Sequence, residues 1–116
     1  MKALGRQFVV EMWGCNGNTN APEVVRKALE EAVRRANVTL LDLRVHTFNP
    51  HGVSGVAVIA ESHISIRTWP EFGYAAVDIF TCGKDAHPEA ALEVLREAFK
   101  PKRMEVIEIK RGIRCE

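Results

Sequence analysis

The sequence has no excess of one charge sign, no long hydrophobic run and no paired cysteines, and each absence removes a class of function. Sixteen basic residues stand against 15 acidic ones, a formal net charge of +1. This is neither the basic footprint of a nucleic-acid binder nor a charged interaction tail. No stretch approaches the roughly 18 apolar residues of a membrane helix. The opening residues, MKALGRQFVVEMWGCNG, lack the long apolar region and small-residue cleavage site of an export signal, so a cytoplasmic, reducing setting is expected. The three cysteines, Cys15, Cys82 and Cys115, are odd in number, far apart and outside any C-x-x-C. No disulfide framework is expected from them. Cys15 reads as a small buried apolar residue and Cys115 as a surface thiol at a frayed end. The four histidines, His46, His51, His63 and His87, show no i,i+4 pair and no ligand spacing with the cysteines, so no metal is expected. A G-x-S-x-G elbow is also missing. Strand alternation sends the neighbours Ser62 and His63 to opposite sides, which argues against Ser-His-Asp hydrolysis.

What is present is an ordinary globular composition, 47% apolar and 27% charged, with no linker across 116 residues. One domain is expected. At this size it buries only about two-thirds of its unfolded surface, which leaves room for an oligomer. Strand formers Phe8, Val9 and Val10 mark a strand over 6–13, and GCNGNTN is turn chemistry. Val25, Ala28, Leu29, Ala32, Val33 and Ala36 recur at helical spacing, with Asn20 as cap, Pro22 in the first turn and Glu23 where a capping box wants an acid. TLLDLRVHTF is a strand with Leu41, Leu43 and Val45 on one face, and NPHG turns the chain. The near-continuous apolar run VSGVAVIA suggests a buried strand. SHISIRT alternates, Ile64 and Ile66 one way and His63, Ser65 and Arg67 the other. After the WPEFG turn comes the strand YAAVDIFT. A helix follows with Ala91, Leu92, Leu95, Ala98 and Phe99 on its face, stopped by Pro101, and RMEVIEIKR closes as a strand. The order β-α-β-β-β-β-α-β predicts a two-layer α+β sandwich, a mostly antiparallel sheet with two helices on one face. No element remains for the other face, so a second copy of the chain is its expected cover.

Ser62 by itself reads as a strand-entry residue. A serine on a strained turn between strands has another course open. Its hydroxyl can attack the preceding carbonyl, turning the amide into an ester, and β-elimination then breaks the chain. The remnant loses ammonia and becomes a pyruvoyl group, a carbonyl electrophile able to hold a substrate amine as an imine and draw electrons from a carbon losing CO2. An acid must then return a proton, a task that suits a thiol.

The run FNPHGVSGVAVIAESHISIRTWPEFGYAAVDIFTCG resembles the prokaryotic, pyruvoyl-dependent, self-processing S-adenosylmethionine decarboxylases, and the likeness extends over nearly the whole chain. The resemblance implies cleavage between Glu61 and Ser62, giving chains 1–61 and 62–116. It makes Ser62 the source of the pyruvoyl cofactor, Cys82 the proton donor and Ser54 an aid to processing. Phe48 and Trp69, which otherwise read as core packing, become the aromatics that sandwich adenine, and Glu71 the acid on the ribose hydroxyls. It also implies a homodimer of processed protomers with sites at the interface, and a product used in spermidine synthesis. One position departs. The family has a histidine before Thr-Trp-Pro-Glu as the processing base, where this chain has Arg67. A guanidinium stays charged at neutral pH and cannot take a proton. Arg67 can polarise the Glu61 carbonyl or stabilise an oxyanion, and His63 is a substitute base. Arg67 also leaves open an arginine or ornithine decarboxylase on the same scaffold, or an unprocessed, non-catalytic homologue.

Overall fold

The structure is a computed structural model and describes residues 2–114, so Cys115 lies outside the described residues. The chain runs β1 (Lys2–Trp13), α1 (Pro22–Arg35), β2 (Thr39–Thr47), β3 (Val53–Ala60), β4 (Ser62–Trp69), a single 3-10 turn (Pro70–Phe72), β5 (Tyr74–Cys82), α2 (Pro88–Phe99) and β6 (Arg103–Arg114). The six strands form one sheet in the order β2-β3-β4-β5-β1-β6, and every neighbouring pair is antiparallel. This is the expected α+β arrangement, with β1 and β6, the first and last strands of the chain, longer than their apolar cores indicate. Among the described residues two peptide bonds are cis, Asn49–Pro50 and Ala60–Glu61. Among the described residues no helix is long and apolar enough to cross a membrane.

Both helices lie on one face. Val25, Ala28, Leu29, Ala32 and Val33 of α1 are buried, as are Ala91, Leu95 and Phe99 of α2, together with Val94. They meet Phe8, Val10 and Met12 of β1, Ile64 and Ile66 of β4, and Val77 and Ile79 of β5 in one core. The helix α1 comes close to β3 because position 55 has no side chain. A Cβ on Gly55 would stand 2.7 Å from Cδ1 of Leu29.

Four local expectations change. The cap residue of α1 is Ala21, without a side-chain cap bond. Asn20 instead accepts a bond from the Gly52 amide through Oδ1 at 2.8 Å, tying the entry of α1 to the β2–β3 hairpin. Leu41 is exposed, because the β2–β3 register shifts between Leu40 and Asp42 and leaves Leu41 without a ladder partner. Leu43 and Val45 keep their places against the core. Strand β3 is buried on the helix side alone: Val53, Gly55, Ala57 and Ile59 are covered, whereas Val56 and Val58 are exposed on the other face. Cys15 is half-buried rather than enclosed, and that burial pushes its thiol upward.

The face away from the helices carries Gln7, Val9, Glu11, Val56, Val58, His63, Ser65, Arg67 and Asp78. Alternation along the strands puts them there. Among the described residues no element packs on it, and every candidate site residue lies on this face or at its two ends.

Candidate active site

At the head of β4 the chain turns sharply through Glu61, and Ser62 has φ of 113°. A side-chain-bearing residue rarely adopts that backbone region, and holding one there costs on the order of 1 kcal/mol or more. Ser62 is thus out of strand alternation. Its Oγ lies 3.4 Å from Nδ1 of His63, which corrects the expectation that the two side chains point apart. The ring of His63 stands edge-on to Phe80, with centroids 5.7 Å apart. Its Nε2 is 3.6 Å from Oδ2 of Asp78. Asp78 in turn accepts a bond from Nε2 of Gln7 at 2.7 Å, and Gln7 accepts one from Nη1 of Arg111 through Oε1. One polar chain therefore crosses four adjacent strands, from β4 through β5 and β1 to β6.

Cys82 ends β5 directly opposite Gly5. A Cβ at position 5 would stand 3.1 Å from Sγ of Cys82 and 2.6 Å from the Phe80 ring, so the bare glycine makes the seat for the thiol. Glu61 and Cys82 line one cleft of about 310 Å³ with Gly83 and Lys84.

The other end of β4 is aromatic. Arg67 faces Ser54 across the β3–β4 ladder. Its guanidinium lies 4.3 Å from the ring centre of Phe48 and 4.3 Å from that of Trp69, and its Nε donates to the Thr68 carbonyl at 3.1 Å. The Trp69 ring packs on Tyr74, and Tyr74 on Trp13. The Tyr74 hydroxyl donates to Glu11 at 2.6 Å. Desolvation, reinforced by that carboxylate, pushes the phenol up to about 12. Between Arg67 and Trp69, buried Thr68 turns inward. Its Oγ1 accepts from the Val53 amide at 2.9 Å and donates to the Thr19 carbonyl at 2.8 Å, which fixes the strand under the two rings. Glu71, on the 3-10 turn, lies 3.2 Å from Nε2 of His51 through Oε1.

The structure thus gathers Glu61, Ser62, His63 and Cys82 at one end of the open face, and Phe48, Ser54, Arg67, Trp69 and Glu71 at the other. It does not join the two sets. Seven residue steps of β4 separate Ser62 from Trp69, about 23 Å at the rise of a strand. A groove of about 390 Å³ over Glu11, Ser54, Ser65, Arg67 and Asp78 lies between them. The sequence reading missed Gly5, Gln7, His51, Asp78 and Arg111. Alternation alone carries a signal for Asp78, whose position on YAAVDIFT fits the face of His63; the others depend on strand order and register. Among the described residues no three of His, Cys, Asp and Glu cluster in a way that could hold a metal ion.

Comparison with known proteins gives the family. The family described as S-adenosylmethionine decarboxylase matches residues 6–112. A relative from Thermomicrobium roseum, named S-adenosylmethionine decarboxylase proenzyme, is 54% identical over 114 residues, covering 97% of each chain. One of the same name from Methanococcus aeolicus is 50% identical over 113 residues, again covering 97% of each. The crystal structure of the adenosylmethionine decarboxylase from Aquifex aeolicus superposes with a TM-score of 0.93 at 38% identity, covering all of this chain and 97% of the other. The chain belongs to the S-adenosylmethionine decarboxylase family.

Proposed function

We propose that this chain is a proenzyme that cleaves itself between Glu61 and Ser62 and, as chains 1–61 and 62–116, decarboxylates S-adenosylmethionine. The observation that carries the reading is the geometry of Ser62. Its φ is 113° and its hydroxyl lies 3.4 Å from an imidazole nitrogen, beside a cleft shared by Glu61 and Cys82. A nucleophile, a base and the bond to be broken stand within two residues of each other.

His63 takes the Ser62 hydroxyl proton, and the oxygen attacks the Glu61 carbonyl carbon. The C–N bond gives way to a C–O ester, and the freed nitrogen takes up a proton. Loss of the Ser62 Cα proton then breaks the Cβ–O bond and releases Glu61 as a new C-terminal carboxylate. Water replaces the nitrogen of the remnant, ammonia leaves, and residue 62 ends as a pyruvoyl group. The residues present fit that group: a strained serine supplies it, and no side chain at Gly5 crowds the neighbouring thiol. The group supplies an electrophilic carbonyl as a sink for electrons from the carbon losing CO2. Cys82 holds the proton returned to that carbon. Phe48 and Trp69 stack on the adenine, and Glu71 accepts from the ribose hydroxyls. Ser54 and Arg67 serve processing across the dimer interface, Arg67 of one copy as a fixed positive charge toward the developing oxyanion of the other.

Both sets of residues must act on one molecule, and about 23 Å exceeds the reach of an extended S-adenosylmethionine from carboxylate to adenine. A homodimer meets the requirement. Two copies with their open faces together, related by a two-fold axis, bring the aromatic end of one to the Ser62 end of the other. The same contact covers Val56 and Val58. The product, decarboxylated S-adenosylmethionine, is the aminopropyl donor for spermidine synthesis, and the setting is the cytoplasm. Nothing in the fold or the relatives favours an arginine or ornithine decarboxylase or a non-catalytic homologue.

The test is CO2 release from carboxyl-labelled S-adenosylmethionine, arginine and ornithine, with the Ser62→Ala chain alongside. The expected result is release from S-adenosylmethionine alone, and none from Ser62→Ala. Release from either amino acid in its place would reject the substrate, and release by the Ser62→Ala chain would reject the cofactor.

A further inference from the structure

The aromatic end of the open face is already occupied. Arg67 fills the space between Phe48 and Trp69 at 4.3 Å from both ring centres, a contact distance for a planar cation over a π face on each side. The backbone holds it from below, through its Nε bond to the Thr68 carbonyl at 3.1 Å. On the hairpin side the bare Gly52 leaves room for it, since a Cβ there would stand 3.5 Å from the guanidinium. Close by, Glu71 is engaged by Nε2 of His51 at 3.2 Å. The two rings that would sandwich a base hold a guanidinium, and the carboxylate that would accept from a ribose faces an imidazole.

We propose that Arg67 and His51 are resident stand-ins for the nucleoside, and that Arg67 is the residue that sets which ligands can enter. This rests on the adenosyl reading above and deepens it. A ligand must offset the loss of both cation–π contacts before it gains anything from the clamp. A purine does so, because its fused rings cover both aromatic faces over a larger area than a guanidinium. A guanidinium ligand gains only what Arg67 gives up, and an aliphatic ammonium gains less. Arg67 thereby excludes simple amino acids while admitting an adenosyl group, a task separate from any part it takes in chain cleavage. The displaced side chain swings out on its flexible stem, and His51 releases Glu71 as the ribose hydroxyls arrive.

The experiment uses the full chain with Ser62→Ala, which stays uncleaved, so that ligand binding is read apart from maturation and turnover. Calorimetry with adenosine compares this chain with the same chain carrying Arg67→Ala. The expected result is binding about five- to thirtyfold tighter once the stand-in is removed. His51→Gln should add a smaller gain, and free arginine should bind detectably only to the Arg67→Ala chain. Unchanged or weaker adenosine binding on removing Arg67 overturns the proposal, since Arg67 is then part of the floor or irrelevant. Should Arg67→Ala fail to fold, NMR of the Ser62→Ala chain decides instead. Ring currents should shift the Arg67 δ-methylene protons upfield, and adenosine should return them to ordinary positions. An unshifted signal in the free chain, or an upfield signal that stays while adenosine binds, overturns it. An upfield signal with no adenosine binding in either chain counts against the adenosyl reading itself, and against displacement with it.

Discussion

The Ser62 hydroxyl oxygen stands 3.4 Å from Nδ1 of His63, although the two residues are adjacent on a strand. The positive φ of Ser62 cancels the alternation that would part them, and it brings an imidazole to the hydroxyl that the proposed cleavage needs as its nucleophile. His63→Ala should slow chain cleavage by about 10²–10⁴, followed as the loss of full-length chain on a denaturing gel. Adding Arg67→His to that variant should restore cleavage, because in the dimer a histidine at position 67 of one copy can accept a proton at the Ser62 end of the other. Asp78→Asn should slow cleavage less, through the orientation of the His63 ring, and Asp78→Glu should recover part of the rate. Full-speed cleavage by His63→Ala would remove His63 as the base.

Cys82 sits over a bare glycine, and that placement separates two steps. Cys82→Ala should cleave normally and lose decarboxylation by about 10²–10⁴. Gly5→Ala should also cleave, while its new methyl group displaces the thiol and lowers turnover about tenfold. Steady-state kinetics on the cleaved proteins checks both, and unchanged turnover in Cys82→Ala would reject it as the proton donor.

Most of this architecture is legible in the sequence, because burial on one side of a sheet imposes a period of two and the helices impose their own spacing. The alternation of Ile64 and Ile66 with His63, Ser65 and Arg67 is borne out in β4. Other features are not local. Asn20 is a good cap by type, but the Gly52 amide of the hairpin takes its oxygen. The bulge that exposes Leu41 breaks the pattern of Leu41, Leu43 and Val45, which reads as unbroken. Apolar β3 looks enclosed, yet its second face is open. The chain from His63 to Arg111 joins residues from four strands whose order, β4-β5-β1-β6, no pairwise pattern reveals. Within the candidate site, residue types are readable from the resemblance, whereas the separation of its two halves follows only from the length and direction of β4.

The aromatic clamp gives a binding prediction. Trp69→Ala removes one face of the proposed adenine sandwich, and stacking on a base is worth roughly 1–3 kcal/mol. KM for S-adenosylmethionine should rise about tenfold with little change in kcat, the pattern of an interaction made equally in the ground and transition states. A loss confined to kcat would move Trp69 from substrate binding into the chemistry.

Arg6 ties three elements together, with Glu89 of α2 at 2.5 Å and Glu108 of β6 at 2.8 Å. Its hydrogen bonds hold both carboxyls below the ordinary carboxylate range. Each therefore binds its proton less readily folded than unfolded. The stabilisation is complete above the ordinary range and is lost as pH falls through the lowered values. Thermal midpoints should drop on acidification, and Arg6→Ala should flatten that drop. Because these groups are largely exposed, the effect is modest and weakens with salt. An identical acid profile in Arg6→Ala would show that the cluster contributes nothing.

Gly55 lets α1 lie against β3, the strand that carries Ser54. Gly55→Ala forces a methyl group to 2.7 Å from Leu29 Cδ1 and 3.1 Å from Val25 Cγ1, an overpacking cost of about 1–3 kcal/mol. Urea denaturation should show that loss. No change would mean that α1 shifts freely over the sheet.

Intact-mass spectrometry of the purified protein, read beside its CO2 release from S-adenosylmethionine, reaches the centre of the account. The expected spectrum holds two polypeptides, one ending at Glu61 and one beginning with a pyruvoyl group at position 62. A single unbroken chain with an unmodified Ser62 that still releases CO2 would contradict it.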